Sequence, residues 1–344
     1  MKLISINRAS VLIRQSNLNR KKQLRISGVS RHRKQRGPLG SKAGMQVTTI
    51  RTPKTFELKS EQNRRELVDL IKIIAEHLAK GNRVKLCFRN TTSLQPCGTL
   101  YFVANIESLL IAFPGKIDCT YPEDDVVEQL FQHIGFLEKL GKQNRKVITA
   151  ENVVNWHFAT GTDASTSAFQ ALLFQHQDAM GGELTRSELY DCMSEAVTNT
   201  KKHAYPVRSD KSENRWWMFS QAADNKLTVA ICDLGIGIPD SLLMKKELSD
   251  YIRDLRGLFR VEQMHKRLLK VAVSSNRSRT GLPYRGKGLP QMLDFIKTGN
   301  TGGFRVQSGY GLYTYSADEK KTLDRARKCK IRGTLVQWTL PLST

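Results

Sequence analysis

Ser194-Glu195-Ala196-Val197-Thr198-Asn199-Thr200-Lys201-Lys202-His203-Ala204-Tyr205 is the stretch on which the reading of this 344-residue chain turns. At 3.6 residues per turn, Leu189, Cys192, Met193, Ala196 and Val197 form an apolar stripe. Glu195, Asn199 and His203 fall on another face at successive i, i+4 positions. A helix here presents a carboxylate, an amide and an imidazole in a row. An amide oxygen is a hard ligand suited to Mg²⁺, and a carboxylate one turn away can orient or deprotonate an attacking oxygen. Taken alone, the row reads first as a solvated helix face ending at Pro206, since a Glu and an Asn four apart are common on helices.

Downstream, Lys226 to Cys232 reads as a buried strand that runs into Asp233-Leu234-Gly235-Ile236-Gly237-Ile238-Pro239. A carboxylate closing such a strand is desolvated and needs a donor. Gly286-Lys287-Gly288 stands before a helix expected to start near Leu289, with Pro290 suited to its first turn. Gly333 and Thr334 open what reads as the last strand.

These four elements, in this order and at these separations, resemble the ATP-binding domain shared by histidine kinases, anti-sigma serine kinases, Hsp90, gyrase and MutL. The resemblance covers residues 150 to 344, and Glu-Ala-Val-Thr-Asn followed by His-Ala-Tyr is most similar to the anti-sigma serine kinase branch. It implies an α/β sandwich, a mixed sheet with helices on one face. An ATP lid would lie between the two glycine motifs, where a charged helical stretch (Leu248 to Val273) and a loop with Arg277 and Arg279 stand. It also implies roles: Glu195 as catalytic base, Asn199 as Mg²⁺ ligand and Lys202 as a phosphate-facing cation. Asp233 would accept from the adenine amine, with Gly235 and Gly237 leaving room for the base. Gly286, Lys287 and Gly288 would cradle phosphates, and Thr334 would reach the adenine. None of the seven histidines carries the acidic and proline spacing of a histidine-kinase acceptor helix, which argues against phosphorylation on histidine.

The net charge of +23 is unevenly spread. Residues 1 to 44 hold twelve Lys or Arg and no Asp or Glu, leaving 43 basic against 32 acidic residues in the rest. This tail has too little periodic apolar content to fold alone. Three readings are open for it: a disordered basic arm that touches nucleic acid or acidic lipid, a transit peptide, or sequence upstream of the true start. No run approaches the roughly 20 apolar residues of a membrane helix. Six scattered cysteines without Cys-x-x-Cys spacing suggest reduced thiols and a cytoplasmic location.

Residues 45 to 145 read as a smaller α/β domain. Expected in order are a helix from Ser60 to Lys80 closed by Gly81, a strand from Arg83 to Phe88, an apolar helix from Gly98 to Leu110, a strand near Ile117 to Thr120, and a helix from Asp124 to Leu140. The run from Val84 to Gly98 faintly resembles the STAS fold of anti-sigma factor antagonists, with Cys97 at the position of the acceptor serine. An ordinary βα unit accounts for the pattern as well. The fold expected is therefore a two-domain α/β protein. The expected function is Mg·ATP binding with phosphoryl transfer to Ser or Thr of a regulatory protein partner; the alternative is an ATP-gated switch or slow ATPase. A homodimer, and nucleic acid on the basic tail, complete the expected partners.

Overall fold

In the computed structural model the described residues are 46–162, 169, 183–205, 214–244, 259–274, 288–299 and 301–342. The basic tail and most of the expected lid, with Arg277 and Arg279, lie outside them. The first unit runs β1 (Val47–Arg51), β2 (Thr55–Phe56), α1 (Glu61–Ala79), β3 (Arg83–Cys87), β4 (Ser93–Leu94), α2 (Pro96–Ala112), β5 (Ile117–Cys119), α3 (Asp125–His133) and α4 (Phe136–Lys139). Its three-stranded sheet, in the order β1-β3-β5, is parallel. Ser60 caps α1 by accepting the Asn63 N–H, and Gly81 at φ +87° ends the turn beyond it. The helix expected from Asp124 to Leu140 is broken in two, because Gly135 adopts φ +70° between α3 and α4. Phe56, Phe88, Phe102, Phe131 and Phe136 meet edge to face or tilted, with centroids 4.5–6.3 Å apart, and close the core.

The segment after α4 is pinned rather than loose. Gln132 Oε1 accepts the Arg145 and Lys146 N–H groups at 2.9 Å each, and Gln129 Oε1 accepts those of Thr149 and Ala150 at 2.8 and 2.9 Å. The polar, basic segment that follows α4 is thus fastened to α3.

The second unit contains α5 (Glu151–Val154), β6 (Trp156–Gly161), α6 (Glu183–Asn199), β7 (Trp216–Ala223), β8 (Lys226–Asp233), α7 (Ile238–Leu243), α8 (Val261–Ser274), α9 (Gly288–Gly299), β9 (Gly303–Ser316) and β10 (Lys321–Pro341). Its sheet has the order β6-β7-β8-β10-β9, and every pairing is antiparallel where a mixed sheet is expected. Hairpins explain the difference. Asp224 and Asn225, both at positive φ, form the two-residue turn between β7 and β8, and β9 folds back directly into β10. Gly333 and Thr334 do not open the last strand; they lie within β10, which starts at Lys321.

Both faces of this sheet are covered. Trp216, Met218, Val229, Ile231, Val306 and Trp338 face the apolar stripe of α6 (Leu189, Cys192, Met193, Ala196, Val197), together with α8 and α9. Trp217, Phe219, Ala230, Cys232 and Leu335 face the other way and share one core with Leu100, Tyr101 and the aromatic cluster of the first unit. Helix α2 is the cover, which explains why it is apolar on nearly all sides. Trp217 Nε1 donates to Glu107 Oε2 at 2.8 Å, and Lys139 Nζ pairs with Glu107 Oε1 at 2.5 Å, so the buried carboxylate is neutralised. The expected boundary at residues 145–150 separates the sheets of the first unit from the five-stranded one, and the core of the first unit continues across it onto one face of that sheet.

Candidate functional site

Four separate segments converge at the end of β8. Asp233, the last residue of that strand, is 7% exposed and stands opposite Thr334 in the ladder to β10. Its Oδ1 accepts the Gly235 N–H at 2.8 Å. Burial raises its carboxyl to about 6, against the pull of the Gly235 N–H, the Thr334 N–H and hydroxyl, and the Arg332 charge. With the Gly235 N–H on Oδ1, lone pairs remain among the about four of a carboxylate for an external donor.

The turn after Asp233 is shaped by close backbone approaches. A side chain on Gly235 would meet the Ala204 carbonyl at 2.2 Å, and the Ile236 N–H donates to that carbonyl at 2.8 Å. Gly237, at φ +84°, has no space beside Ser308 Oγ, which would lie 2.7 Å from its Cβ. Gly333, at φ +75°, lets β10 pass over the Asp233 carbonyl, which would stand 1.9 Å from a Cβ there.

The Ala204 carbonyl belongs to the end of the helix that carries the expected metal ligand. Helix α6 closes at Asn199 and continues as a π turn over Thr200–Ala204. The i, i+4 row therefore holds for Glu195 and Asn199, and the wider turn takes His203 out of it. Glu195 and Asn199 are half-buried, whereas Lys202 and His203 are exposed. Gly288, the first residue of α9, packs directly against the pair: a Cβ there would lie 2.4 Å from Glu195 Oε1 and 2.8 Å from Asn199 Nδ2. Gly286 and Lys287 lie outside the described residues.

Two further residues complete the site. Ser308 Oγ accepts the Ile238 N–H at 2.8 Å, donates to the Gly333 carbonyl at 3.0 Å and lies 3.1 Å from Thr334 Oγ1. Tyr205 OH donates to the Arg215 carbonyl at 2.8 Å and accepts the Leu234 N–H at 3.1 Å; burial, and the Asp233 charge after it, push its hydroxyl pKa up. Tyr205 stood in the opening stretch without a role. Ser308 had a signal: it takes the inward position after Phe304 and Val306, where alternation calls for an apolar side chain.

Cys97, matched to an acceptor serine, is buried at the start of α2 and donates to Gln337 Oε1 at 2.9 Å. Nearby Thr91 is equally engaged, donating to the Pro53 carbonyl at 2.9 Å. All six cysteines are free. Among the described residues, no three His, Cys, Asp or Glu side chains gather as a metal cage, and no helix is long and apolar enough to cross a membrane. No family model matches this chain, and no curated protein matches it.

Proposed function

We propose that this chain binds Mg·ATP at the Asp233 end of its antiparallel sheet and passes the terminal phosphate to a serine or threonine of a partner protein. The observation that carries the reading is the contact of Gly288 with Glu195 and Asn199, which sets a carboxylate and an amide at the amide end of α9. Free N–H groups at a helix start favour phosphate oxygens. Asn199 would be the Mg²⁺ ligand, and a nucleotide-borne Mg²⁺ needs only one or two protein groups because phosphates and water fill the rest.

Asp233 would take the adenine amine on its spare lone pair, beside the open backbone of Gly235 and Gly237, with Thr334 supporting it. Glu195 would accept the proton of the attacking hydroxyl. Lys202, with Gly286 and Lys287, would offer charge and amides to the phosphates. Bound Mg·ATP supplies the phosphoryl group and the counter-charge for its transfer.

The test is equilibrium binding of ATP to the full chain with and without Mg²⁺, followed by γ-labelled ATP with candidate partners encoded beside it. Label on a partner serine or threonine supports the kinase reading. Label released only to water reduces it to a slow ATPase or an ATP-gated switch. Absence of binding at millimolar ATP overturns it.

A further inference from the structure

Helix α1 and the β9–β10 hairpin exchange arginines. Arg64, on the first turn of α1, is fully buried within the second unit. Its Nε donates to the Cys329 carbonyl at 3.0 Å, Nη1 to Gln307 Oε1 at 2.5 Å and Nη2 to the Gly309 carbonyl at 3.5 Å. Arg327 reaches the other way, from β10 to Glu61 Oε1 at 2.9 Å and to the Leu58 and Lys59 carbonyls at 3.4 and 2.8 Å.

The two are not equivalent. Arg327 has a carboxylate partner, while the groups that Arg64 bonds are uncharged, a costly way to bury a guanidinium. Burial, and Arg327 after it, lower its pKa to about 10. What Arg64 meets is a break in the ladder: the β9–β10 register shifts between Ala326 and Ile331, and again between Ile331 and Thr334. Cys329 lies in the first of these bulges. A rigid fork of donors serves carbonyls and an amide that the interrupted ladder leaves to it.

Gln307 is the residue before Ser308, and Ser308 holds the Gly237 turn through the Ile238 N–H and the Gly333 carbonyl. Thr334 pairs with Ser308 on one side and with Asp233 on the other. A Cβ on Gly237 would lie only 2.7 Å from Ser308 Oγ and the Ile238 N–H bonds that oxygen, so a displacement of the strand is felt at the turn.

We propose that Arg64 is a positioning residue for the nucleotide site: it fixes the bulged hairpin so that Ser308 and Gly333 hold the Asp233–Gly237 turn. This rests on the nucleotide reading of that turn.

The test uses full-length Arg64→Lys, Arg327→Lys, Ser308→Ala and the double variant Arg64→Lys/Ser308→Ala. Measured are Mg·ATP affinity, thermal midpoint, and hydrogen exchange of the Ile238 amide without nucleotide. Arg64→Lys is expected to weaken Mg·ATP about five-fold or more and to speed exchange at Ile238. Arg327→Lys, which also loosens α1 but touches neither Gln307 nor Ser308, lowers the midpoint and leaves both unchanged. The effects of Arg64→Lys and Ser308→Ala on affinity are expected not to add. Equal responses of the Arg64 and Arg327 variants would overturn the inference and reduce Arg64 to a packing role. Should Arg64→Lys not fold, Gln307→Met removes the same link and is expected to speed Ile238 exchange; unchanged exchange there overturns the inference. If the unaltered chain binds no ATP, the nucleotide reading fails, while Ile238 exchange still decides whether Arg64 positions the turn.

Discussion

Thr334 stands across the ladder from Asp233 and, with the Gly235 N–H that Oδ1 accepts at 2.8 Å, holds the buried carboxyl below the value that burial alone would set. A carboxylate accepts on every face, whereas an amide in its place can turn a donor against the Gly235 N–H or the adenine amine. Asp233→Asn is therefore expected to weaken ATP about 10- to 150-fold, the loss of a charged hydrogen bond of roughly 1.5–3 kcal/mol. Calorimetry decides it, and an unchanged affinity removes Asp233 from the site.

Glu195 and Asn199 share a helix face but differ in expected role. Asn199→Ala is predicted to weaken Mg·ATP binding and turnover together. Glu195→Ala should leave binding nearly intact while turnover falls roughly 10²- to 10⁴-fold, the range of a lost general base. Full turnover in Glu195→Ala, or equal losses of affinity in both variants, would mean that the pair only supports the helix.

Gly288→Ala separates stability from activity. Alanine favours a helix over glycine by roughly 0.5–1 kcal/mol, yet its methyl would need the space of Glu195 Cγ and Oε1, at 2.5 and 2.4 Å. The expected result is a thermal midpoint held or raised, with turnover lowered because Glu195 and Asn199 are displaced. A variant with full turnover would show that those side chains can move without consequence.

Asp233 and His265, a buried residue of α8, titrate in opposite senses. Asp233 is raised from 3.8 to about 6, so the folded protein takes up its proton first and gains stability as pH falls from 6 toward 3.8. His265 is lowered from 6.5 to about 4, first by burial and further by Lys330, against the pull of Asp240 and Glu262. Its contribution is present above pH 6.5 and is lost as pH falls toward 4. Urea midpoints between these limits should fall more steeply with acid in Asp233→Asn than in the unaltered chain. In His265→Gln they should fall less steeply. Three identical slopes would show that neither group titrates in that window.

Much of this was legible. The stripe of α6, the strand ending at Asp233 and the caps of α1 were readable because local periodicity and turn chemistry set them. The π turn was not, since winding at Thr200–Ala204 is tied to the approach of Gly235 rather than to any local pattern. The β9–β10 hairpin was missed because bulges break its alternation and its charged outer half resembles a loop. The covering role of α2 lies in a contact between residues more than a hundred positions apart, as in Glu107 to Trp217.

That shared core gives a further prediction. A fragment of residues 151–344 alone would leave Trp217, Phe219 and Leu335 uncovered. It is expected to aggregate on size-exclusion chromatography and to bind a hydrophobic dye, whereas an independent domain would elute as a dye-silent monomer.

Helix α2 also sets an order of events on the ribosome. Its apolar surface is complete once Ala112 is made, but Leu335 in the strand it packs against follows 223 residues later. At typical synthesis rates that is roughly 11–45 s of exposure. Arg64 waits even longer for its ladder partner Cys329, which is 265 residues downstream. The nascent chain thus carries one uncovered apolar face of α2 for most of its translation, its other face packing on the first unit, and a holdase chaperone that recognises apolar helices would find it there.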